Sequence, residues 1–339
     1  MEKKNSILNL VKFCRKTSFN LCFPSKTKHN DLFRDFGCFC RQWLDHYGDN
    51  VKISTYSKYQ GIMNKHILPY FGGVRIEEID TALVQKFKRR LIDEKRLSDK
   101  SVKDILTVLK SVIRYVETIA DVIVSAEIES PKVAKKEIRI LSKVEQKRLV
   151  EYLLQDLNRY HIAILLSLFT GMRIGEVCGL RWKNVSLEER IIRVDSTVQR
   201  VENYDSLIPS GTKVVIDTPK SYSSIRSIPL TETIIALLTE LRCETPDAFV
   251  LTGREDCYVE PRVLQYHFSK CADECRLQNV HFHTLRHTFA TRCAEVDFEI
   301  KCLSEILGHS NPSVTLERYV HPSMELKRAN MNKLDSFVC

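Results

Sequence analysis

The stretch HIAILLSLFTGMRIGEVCGLRW, residues 161–182, contains two predicted helices separated by a break. Its first part is almost wholly apolar, which indicates a helix leading into Thr170 and Gly171. A second helix is predicted to begin at Arg173, so that Arg173 and Glu176 lie one turn apart on the same face. The carboxylate would fix the guanidinium, whose exposed edge could then meet a phosphate. An ordinary surface ion pair is the alternative explanation, and for this spacing alone it is the more frequent one.

The residues around this stretch predict a mostly α (α+β) fold with a small antiparallel sheet. Three segments rich in β-branched residues, 191–200, 213–218 and 224–228, predict the strands. Helices are predicted from a Ser142 cap to about residue 154, and at residues 231–243, 261–276, 284–296, 300–307, 313–320 and 323–335. Residues 140–339 are therefore predicted to form a mainly helical domain with a three-stranded sheet.

The chain upstream of residue 140 has a different organisation. Apolar stripes at helical spacing predict four helices, at residues 32–47, 54–71, 81–95 and 99–119. They indicate a small all-helical domain over residues 31–121. Pro131 and the lysines that follow it indicate a linker at 122–139, and residues 1–30 form a basic arm.

Positive charge is concentrated in the first part of the chain. The formal net charge is +9, but residues 1–140 hold 27 basic and 17 acidic residues, whereas residues 141–339 hold 25 and 26. An excess of this kind suits a polyanion such as DNA, although a solvated basic face without a partner is the alternative. The candidate DNA-binding positions lie on the third predicted helix: Lys86, Lys88, Arg89 and Arg90.

Composition argues against several other classes of protein. No apolar run approaches the roughly 20 residues that a membrane span needs, and no secretory signal is recognisable at the N-terminus. The 12 cysteines are therefore expected to be reduced, in a cytoplasmic, nucleoid-associated protein. Cys38 and Cys40, and Cys271 and Cys275, lack a second pair at zinc-finger spacing, so no metal is expected.

Three further motifs carry candidate chemistry. In TPKSYSSIRSIPL, residues 218–230, Lys220 is predicted at the tip of a hairpin, where it could deliver a proton or simply be solvated. In HFHTLRHTFAT, residues 281–291, His283, Arg286 and His287 lie one turn apart at a helix N-terminus, which favours an anion. A metal site is disfavoured there because the arginine would repel the ion.

The last motif joins LGHS, residues 307–310, to TLERYVH, residues 315–321. A helix broken at Gly308 presents His309, and Tyr319 follows on the next short helix. A single tyrosine of this kind is usually a buried residue with a satisfied hydroxyl. The set as a whole is more specific than any of its parts.

The four motifs together resemble those of the tyrosine recombinase (phage integrase) family, and they occur here in the family order. The resemblance is close over residues 140–321. Over residues 31–120 it is looser, and resembles the helical core-binding domain that precedes the catalytic domain. The family members most similar in pattern are integrases of phages and conjugative or mobile elements.

The resemblance implies an enzyme that cleaves and rejoins DNA through a 3′-phosphotyrosyl intermediate, and that integrates or excises a mobile element. Tyr319 would be the nucleophile, Lys220 would protonate the departing 5′-oxygen, and His283 would assist proton movement at the tyrosine. The remaining implied roles are phosphate contacts by Arg173, Arg286 and His309, with Glu176 bracing Arg173.

The resemblance also implies partners. These are a double-stranded recombination site and a homo-tetramer assembled on it, with no cofactor and no membrane, while an accessory excision factor is compatible with the family. A chromosome or plasmid dimer resolvase and a type IB topoisomerase-like enzyme share this chemistry and remain open. A DNA-binding regulator without activity is the alternative from another class, and a metal-dependent phosphodiesterase is disfavoured by the missing carboxylate cluster.

Overall fold

Helices separated by polar turns and glycines form most of the protein. The computed structural model describes residues 35–48, 50–134, 138–204, 211–218, 224–319, 328 and 331–332. Lys220, the arm at residues 1–30 and most of the predicted C-terminal helix at 323–335 lie outside the described residues. The described chain forms two units, one of residues up to 43 with 63–130, and one of residues 44–62 with 131 onward.

The first unit is helical. It contains the start of α1 (Phe36–Gly48), then α3 (Leu68–Phe71), α4 (Thr81–Asp93) and α5 (Asp99–Ala120), with a 3₁₀ turn at Ile76–Glu78. Asp80 and Ser98 cap α4 and α5 by accepting the backbone N–H groups of Leu83 and Ser101. A π-helical turn at Met63–Ile67 leads into α3.

An aromatic cluster lies at the centre of this unit. The ring of Phe71 lies 5.9 Å from Phe36 and 4.9 Å from Phe87, in edge-on arrangements that aromatic pairs prefer. One face of α5 is buried from Val102 to Val116, as its apolar stripe predicts.

The second unit begins with α2 (Ile53–Ile62), although the sequence places this segment in the helical domain. The hydroxyl of Ser57 donates to the carbonyl of Glu202, 2.9 Å away. The helices that follow are α6 (Lys143–Gln155), α7 (Arg159–Thr170), α8 (Ile174–Gly179), α9 (Glu232–Thr239), α10 (Pro261–Glu274), α11 (Phe282–Glu295), α12 (Ile300–Leu307) and α13 (Pro312–Tyr319).

Helix α7 forms the centre of the second core, because every residue from Ile162 to Leu168 is buried. Asn158 caps its first turn, accepting the N–H groups of Tyr160 and His161. Gly171 ends it in the left-handed region, at φ 67°. A Cβ at Gly171 would lie 2.6 Å from the ring of Phe289, so glycine is required there for both its backbone angle and its small size.

The strands form two small antiparallel sheets. One contains β1 (Val185–Ser186), β2 (Ile191–Val194) and β5 (Arg226–Pro229), in the order β1-β2-β5. The other pairs β3 (Thr197–Glu202) with β4 (Thr212–Asp217). A mostly helical fold with a small antiparallel sheet is thus confirmed.

The strand predicted at residues 191–200 is divided between the two sheets, which the sequence does not predict. Asp195 accepts a hydrogen bond from the amide of Asn184 at 2.8 Å, and the hydroxyl of Ser196 donates to the carbonyl of Gly179 at 3.0 Å. These side-chain bonds hold the chain away from a continuous ladder. Among the described residues, no helix is both long enough and apolar enough to cross a membrane.

Candidate active site

Four elements of the second unit bring the predicted site residues together. Arg173 precedes α8, His283 and Arg286 lie on α11, His309 follows α12, and Tyr319 is the last residue of α13. Five of the six expected catalytic residues are therefore described, and Lys220 is the exception.

Glu176 is the centre of a buried cluster of charges. Its carboxylate accepts a hydrogen bond from Arg173 Nη1 at 2.7 Å and from the backbone N–H of Arg173 at 2.8 Å. The other partner is Arg226 on β5, whose Nη2 lies 2.8 Å away and whose Nη1 lies 3.2 Å away. Arg226 also donates to the carbonyl of Ile306 in α12. One carboxylate thus joins α8, β5 and, through Arg226, α12.

The two arginines keep Glu176 ionised despite its burial. Burial by itself raises the pKa of this carboxyl, but the charges and hydrogen bonds of Arg226 and Arg173 outweigh burial and lower the pKa to about 2. The side chain of Glu176 is 3% exposed, whereas that of Arg173 is 37% exposed. Arg173 is therefore fixed at one edge of its guanidinium and accessible at another, as its spacing from Glu176 predicts.

Arg286 is held in place by backbone carbonyl groups. It is 2% exposed and donates to the carbonyls of Gly171, at 2.7 Å, and Leu307. Its Nη2 also lies 3.1 Å from Nε2 of His309. Burial, followed by repulsion from Arg173, lowers the pKa of Arg286 to about 9, because the cation has lost its water without gaining a carboxylate at contact distance.

His309 is oriented from both sides. A guanidinium can only donate, so Nε2 of His309 accepts the hydrogen bond from Arg286. Its Nδ1 lies 2.8 Å from the hydroxyl of Thr315 on α13. These contacts fix the plane of the ring beside Arg286.

A cavity of about 220 Å³ opens beside the two arginines. Its lining includes Arg173, His283 and Arg286, with Ser167, Met172, Ile174, Gln265 and Phe282 around them. Two guanidinium groups with no acid among the lining residues make this cavity suited to an anion such as a phosphodiester.

Tyr319 is buried next to these groups. It is 5% exposed and packs with Ala290, Leu303 and Leu307. Its hydroxyl oxygen lies 2.7 Å from Nδ1 of His287 on α11, and its ring is nearly parallel to that of His309, with 6.4 Å between the centroids. The tyrosine therefore belongs to the same side-chain cluster as the phosphate-binding candidates.

Two residues of this cluster were not assigned a role from the sequence. Arg226 occurs in the quoted motif around Lys220, where its signal in the sequence is a basic residue between the apolar residues Ile225 and Ile228. His287 follows Arg286 directly and lies one turn from His283, but nothing in the spacing predicts its contact with Tyr319, which is 32 residues away. The role expected for His283 in proton movement stays a prediction, and its exposed ring lies edge-on to His287 with 4.5 Å between centroids.

The four candidate DNA-binding residues lie on α4 in the first unit. Lys86, Arg89 and Arg90 are exposed and Lys88 is half-buried. Arg90 pairs with Glu94 at 2.9 Å and covers the ring of Tyr70. Their contact with DNA stays a prediction.

Comparison with known protein families gives two matches. Residues 139–325 match the phage integrase family, and residues 35–92 match the phage integrase N-terminal SAM-like domain. The first match alone covers more than half of the chain and contains all six expected catalytic positions.

Curated relatives are similar over most of the chain. A tyrosine recombinase XerC-like protein of Caldanaerobacter subterraneus subsp. tengcongensis is 26% identical over 296 residues, which are 80% of this chain and 74% of the relative. The ICEBs1 integrase of Bacillus subtilis is 23% identical over 304 residues, covering 85% of this chain and 79% of the relative.

Solved structures share the fold. The Tn1549 transposon integrase in complex with transposon right end DNA aligns with a TM-score of 0.72 at 23% identity, over 89% of this chain and 99% of that one. A lambda integrase tetramer bound to a Holliday junction aligns with a TM-score of 0.60 at 18% identity, over 94% and 86%.

Proposed function

Because the chain belongs to the phage integrase family, we propose that Tyr319 is the nucleophile with which it cleaves DNA. The chain is a tyrosine-type site-specific recombinase. The observation that carries the residue assignment is the convergence of Tyr319, His309, Arg286 and Arg173 in one unit, beside a cavity lined by the two arginines. The substrate is a phosphodiester of double-stranded DNA. The enzyme integrates or excises a mobile genetic element.

The proposed reaction conserves the energy of the phosphodiester bond. The oxygen of Tyr319 bonds to phosphorus as the bond to the 5′-oxygen breaks, leaving a 3′-phosphotyrosyl link and a 5′-hydroxyl. The 5′-hydroxyl of a second strand then reverses the same steps and frees the tyrosine. Lys220, which precedes β5 by a few residues, would supply the proton to the departing oxygen.

Arg173 and Arg286 would stabilise the charge that develops on the non-bridging oxygens. Both are held before substrate arrives, Arg173 by Glu176 and Arg286 by two backbone carbonyls, so little reorganisation is needed at the moment of reaction. A bound phosphate would also give Arg286 an anionic partner, which would oppose the lowering of its pKa by burial and by Arg173.

For His309 to contact the phosphate as the resemblance implies, its Nε2 must gain a proton. Its Nε2 accepts a hydrogen bond from Arg286, and a nitrogen in that state cannot also donate to phosphate. We infer that Nε2 of His309 takes up a proton from solvent when phosphate binds, while Arg286 stays in place, and that the protonated Nε2 then donates to the phosphate.

The basic helical unit would contribute affinity for the DNA backbone. Its exposed cations on α4 suit phosphate contacts, which hold the enzyme on the duplex but carry no sequence information directly. Residues 31–121 as a core-binding domain, 122–139 as linker and 140–339 as catalytic domain are the proposed division. A homo-tetramer on two duplexes is the proposed assembly, by analogy with the lambda integrase tetramer on a junction.

Covalent capture tests this proposal. A randomised pool of nicked duplexes, in which cleavage releases a short oligonucleotide and so prevents religation, is incubated with the protein in EDTA. We expect an adduct that survives denaturation, from which a preferred sequence can be recovered. Tyr319→Phe should abolish the adduct while retaining a mobility shift on the recovered sequence. An equal yield of adduct from the Phe variant would contradict the assignment of Tyr319.

A further inference from the structure

The hydroxyl of Tyr319 has a hydrogen-bond partner that can take its proton. Nδ1 of His287 lies 2.7 Å from this hydroxyl, and the centroids of the two rings are 5.6 Å apart. A phenol is a poor nucleophile while it keeps its proton, and a neutral imidazole at this distance is a suitable base. We propose that His287, a residue outside the set expected from the resemblance, is the general base that activates Tyr319. The inference rests on the proposed function, because it takes Tyr319 as the nucleophile.

The neighbouring His309 is already engaged by other groups. Its Nε2 accepts from Arg286 and its Nδ1 contacts the hydroxyl of Thr315, so both ring nitrogens serve to orient it beside the phosphate-binding arginine. His309 is therefore suited to the phosphate and His287 to the tyrosine. The two histidines flank the ring of Tyr319, whose centroid lies 6.4 Å from that of His309 and 5.6 Å from that of His287.

Helix α11 holds the base and a phosphate ligand in fixed relation. Arg286 and His287 are consecutive residues, and Arg286 is held through the carbonyls of Gly171 and Leu307. A proton acceptor on a packed helix keeps its geometry while the substrate binds. His283 lies one turn earlier and is exposed, and its ring is edge-on to that of His287. Once His287 has accepted the proton, His283 gives its imidazolium a polar neighbour near solvent.

The step balances as a single proton transfer. As the oxygen–phosphorus bond forms, the O–H bond of Tyr319 breaks, its electron pair remains on oxygen, and the proton passes to Nδ1 of His287. The bond from phosphorus to the 5′-oxygen breaks, and the general acid protonates that oxygen. When a 5′-hydroxyl attacks the phosphotyrosyl link, the imidazolium of His287 returns the proton to the departing tyrosine.

Single-turnover cleavage of the captured duplex tests the proposal. His287→Asn can occupy the position of Nδ1 and still hydrogen-bond the tyrosine, but it cannot accept a proton. We expect its rate of adduct formation to fall by about 100-fold or more, with unchanged affinity in the mobility shift. His267→Asn is the matched control, because His267 also contacts a tyrosine, Tyr160, at a centroid distance of 3.6 Å. Its rate should equal that of the wild type.

Changing the leaving group tests whether His287 acts as a base on Tyr319 or as an acid on the departing 5′-oxygen. A duplex with sulfur in place of the bridging 5′-oxygen expels a thiolate, which needs no proton, so it should restore cleavage by Lys220→Ala but not by His287→Asn. Added imidazole should restore part of the rate of His287→Ala, which rules out a purely structural role once thermal unfolding shows that the variant is folded.

Two results would overturn the proposal. One is cleavage by His287→Asn at the wild-type rate, and the other is its rescue by the sulfur leaving group, which would place His287 on the side of the leaving group. Absence of any adduct from the wild type is a different outcome: it would contradict Tyr319 as nucleophile, and the role of His287 with it.

Discussion

At the scale of single residues, the site depends on buried charges that have few alternative partners. Glu176 holds two arginines, and Arg286 is fixed by carbonyl oxygens rather than by an acid. Removing one member of a buried ion pair leaves an uncompensated charge in a poorly solvated position. Substitution of Glu176 should therefore mainly lower stability, whereas substitution of Arg286 should mainly lower activity.

Glu176→Gln is expected to destabilise the protein. The loss leaves Arg226 buried beside a neutral amide, which should lower the free energy of unfolding by about 3–5 kcal/mol at neutral pH. Chemical denaturation measures this. Glu232→Gln removes the exposed partner of Arg190 and is the control, expected to change the free energy of unfolding by less than about 1 kcal/mol.

The difference in unfolding free energy between the wild type and Glu176→Gln should decrease as the pH falls. The pKa of Glu176 is lowered from 4.5 to about 2 in the folded protein, so its stabilisation is complete above pH 4.5 and declines as the pH falls toward 2. The gap in unfolding free energy between the wild type and Glu176→Gln should narrow over that window. A gap that stays constant down to pH 2 would show that Glu176 does not stabilise the fold through its charge.

Arg286→Lys is expected to impair cleavage more than folding. A lysine keeps the charge, but it cannot bond two carbonyls and a phosphate in one plane. Single-turnover cleavage should slow by about 100-fold or more. Arg292→Lys, on the same helix and also bonded to a carbonyl, that of Leu141, is the control and should cleave at nearly the wild-type rate.

At the scale of elements, the close approach of α7, α11 and α12 positions the site. Gly171 ends α7 at a point where its carbonyl accepts from Arg286 and its Cα faces Phe289 of α11 and Leu307 of α12. The turn that carries Arg173 is thereby held against the helix that carries Arg286.

Gly171→Ala is expected to disturb this junction. Its Cβ would lie 2.6 Å from Phe289, in a backbone conformation that alanine adopts at a cost of about 1 kcal/mol. Gly253→Ala isolates the steric contribution, since Gly253 has a φ of 66° with nothing within 4 Å of an added Cβ. The midpoint of thermal unfolding should fall clearly further for Gly171→Ala, and equal shifts would mean that the contact with Phe289 is unimportant.

The elements differ in how well the sequence predicts them. The bounds of α4, α5 and α12 agree closely with their apolar stripes, because one-sided burial produces a strong helical period. The division of residues 191–200 between two sheets depends on side-chain bonds of Asp195 and Ser196 to distant groups, which local pattern does not contain. For the same reason, motifs locate Arg173, Arg286, His309 and Tyr319, whereas the links through Arg226 and His287 become apparent only in three dimensions.

At the scale of the whole molecule, the uneven charge separates binding from chemistry. The first 140 residues carry the positive excess, while the rest of the chain is nearly neutral. Nonspecific affinity for DNA arises mainly from counterion release by cations that contact phosphates. We therefore expect the salt dependence of binding to reside in the first unit, and cleavage to depend on the second.

Lys86→Gln with Arg89→Gln tests this separation. Each lost phosphate contact should reduce the magnitude of the slope of log K against log salt by about 0.9, so the double variant should lose nearly 2. Lys147→Gln, an exposed cation on α6, is the control and should leave the slope unchanged. Titrations by fluorescence anisotropy at several salt concentrations measure the slope. An unchanged slope in the double variant would remove α4 from the DNA-binding surface.

Identifying the residue that bonds to DNA tests most directly whether Tyr319 is the nucleophile. The covalent adduct formed in EDTA can be digested with protease and nuclease, and the peptide that retains the nucleotide identified by mass spectrometry. We expect one modified peptide, with the 3′-phosphate joined to the oxygen of Tyr319. A nucleotide on any other side chain, or an adduct that forms only when a divalent metal ion is supplied, would contradict this assignment.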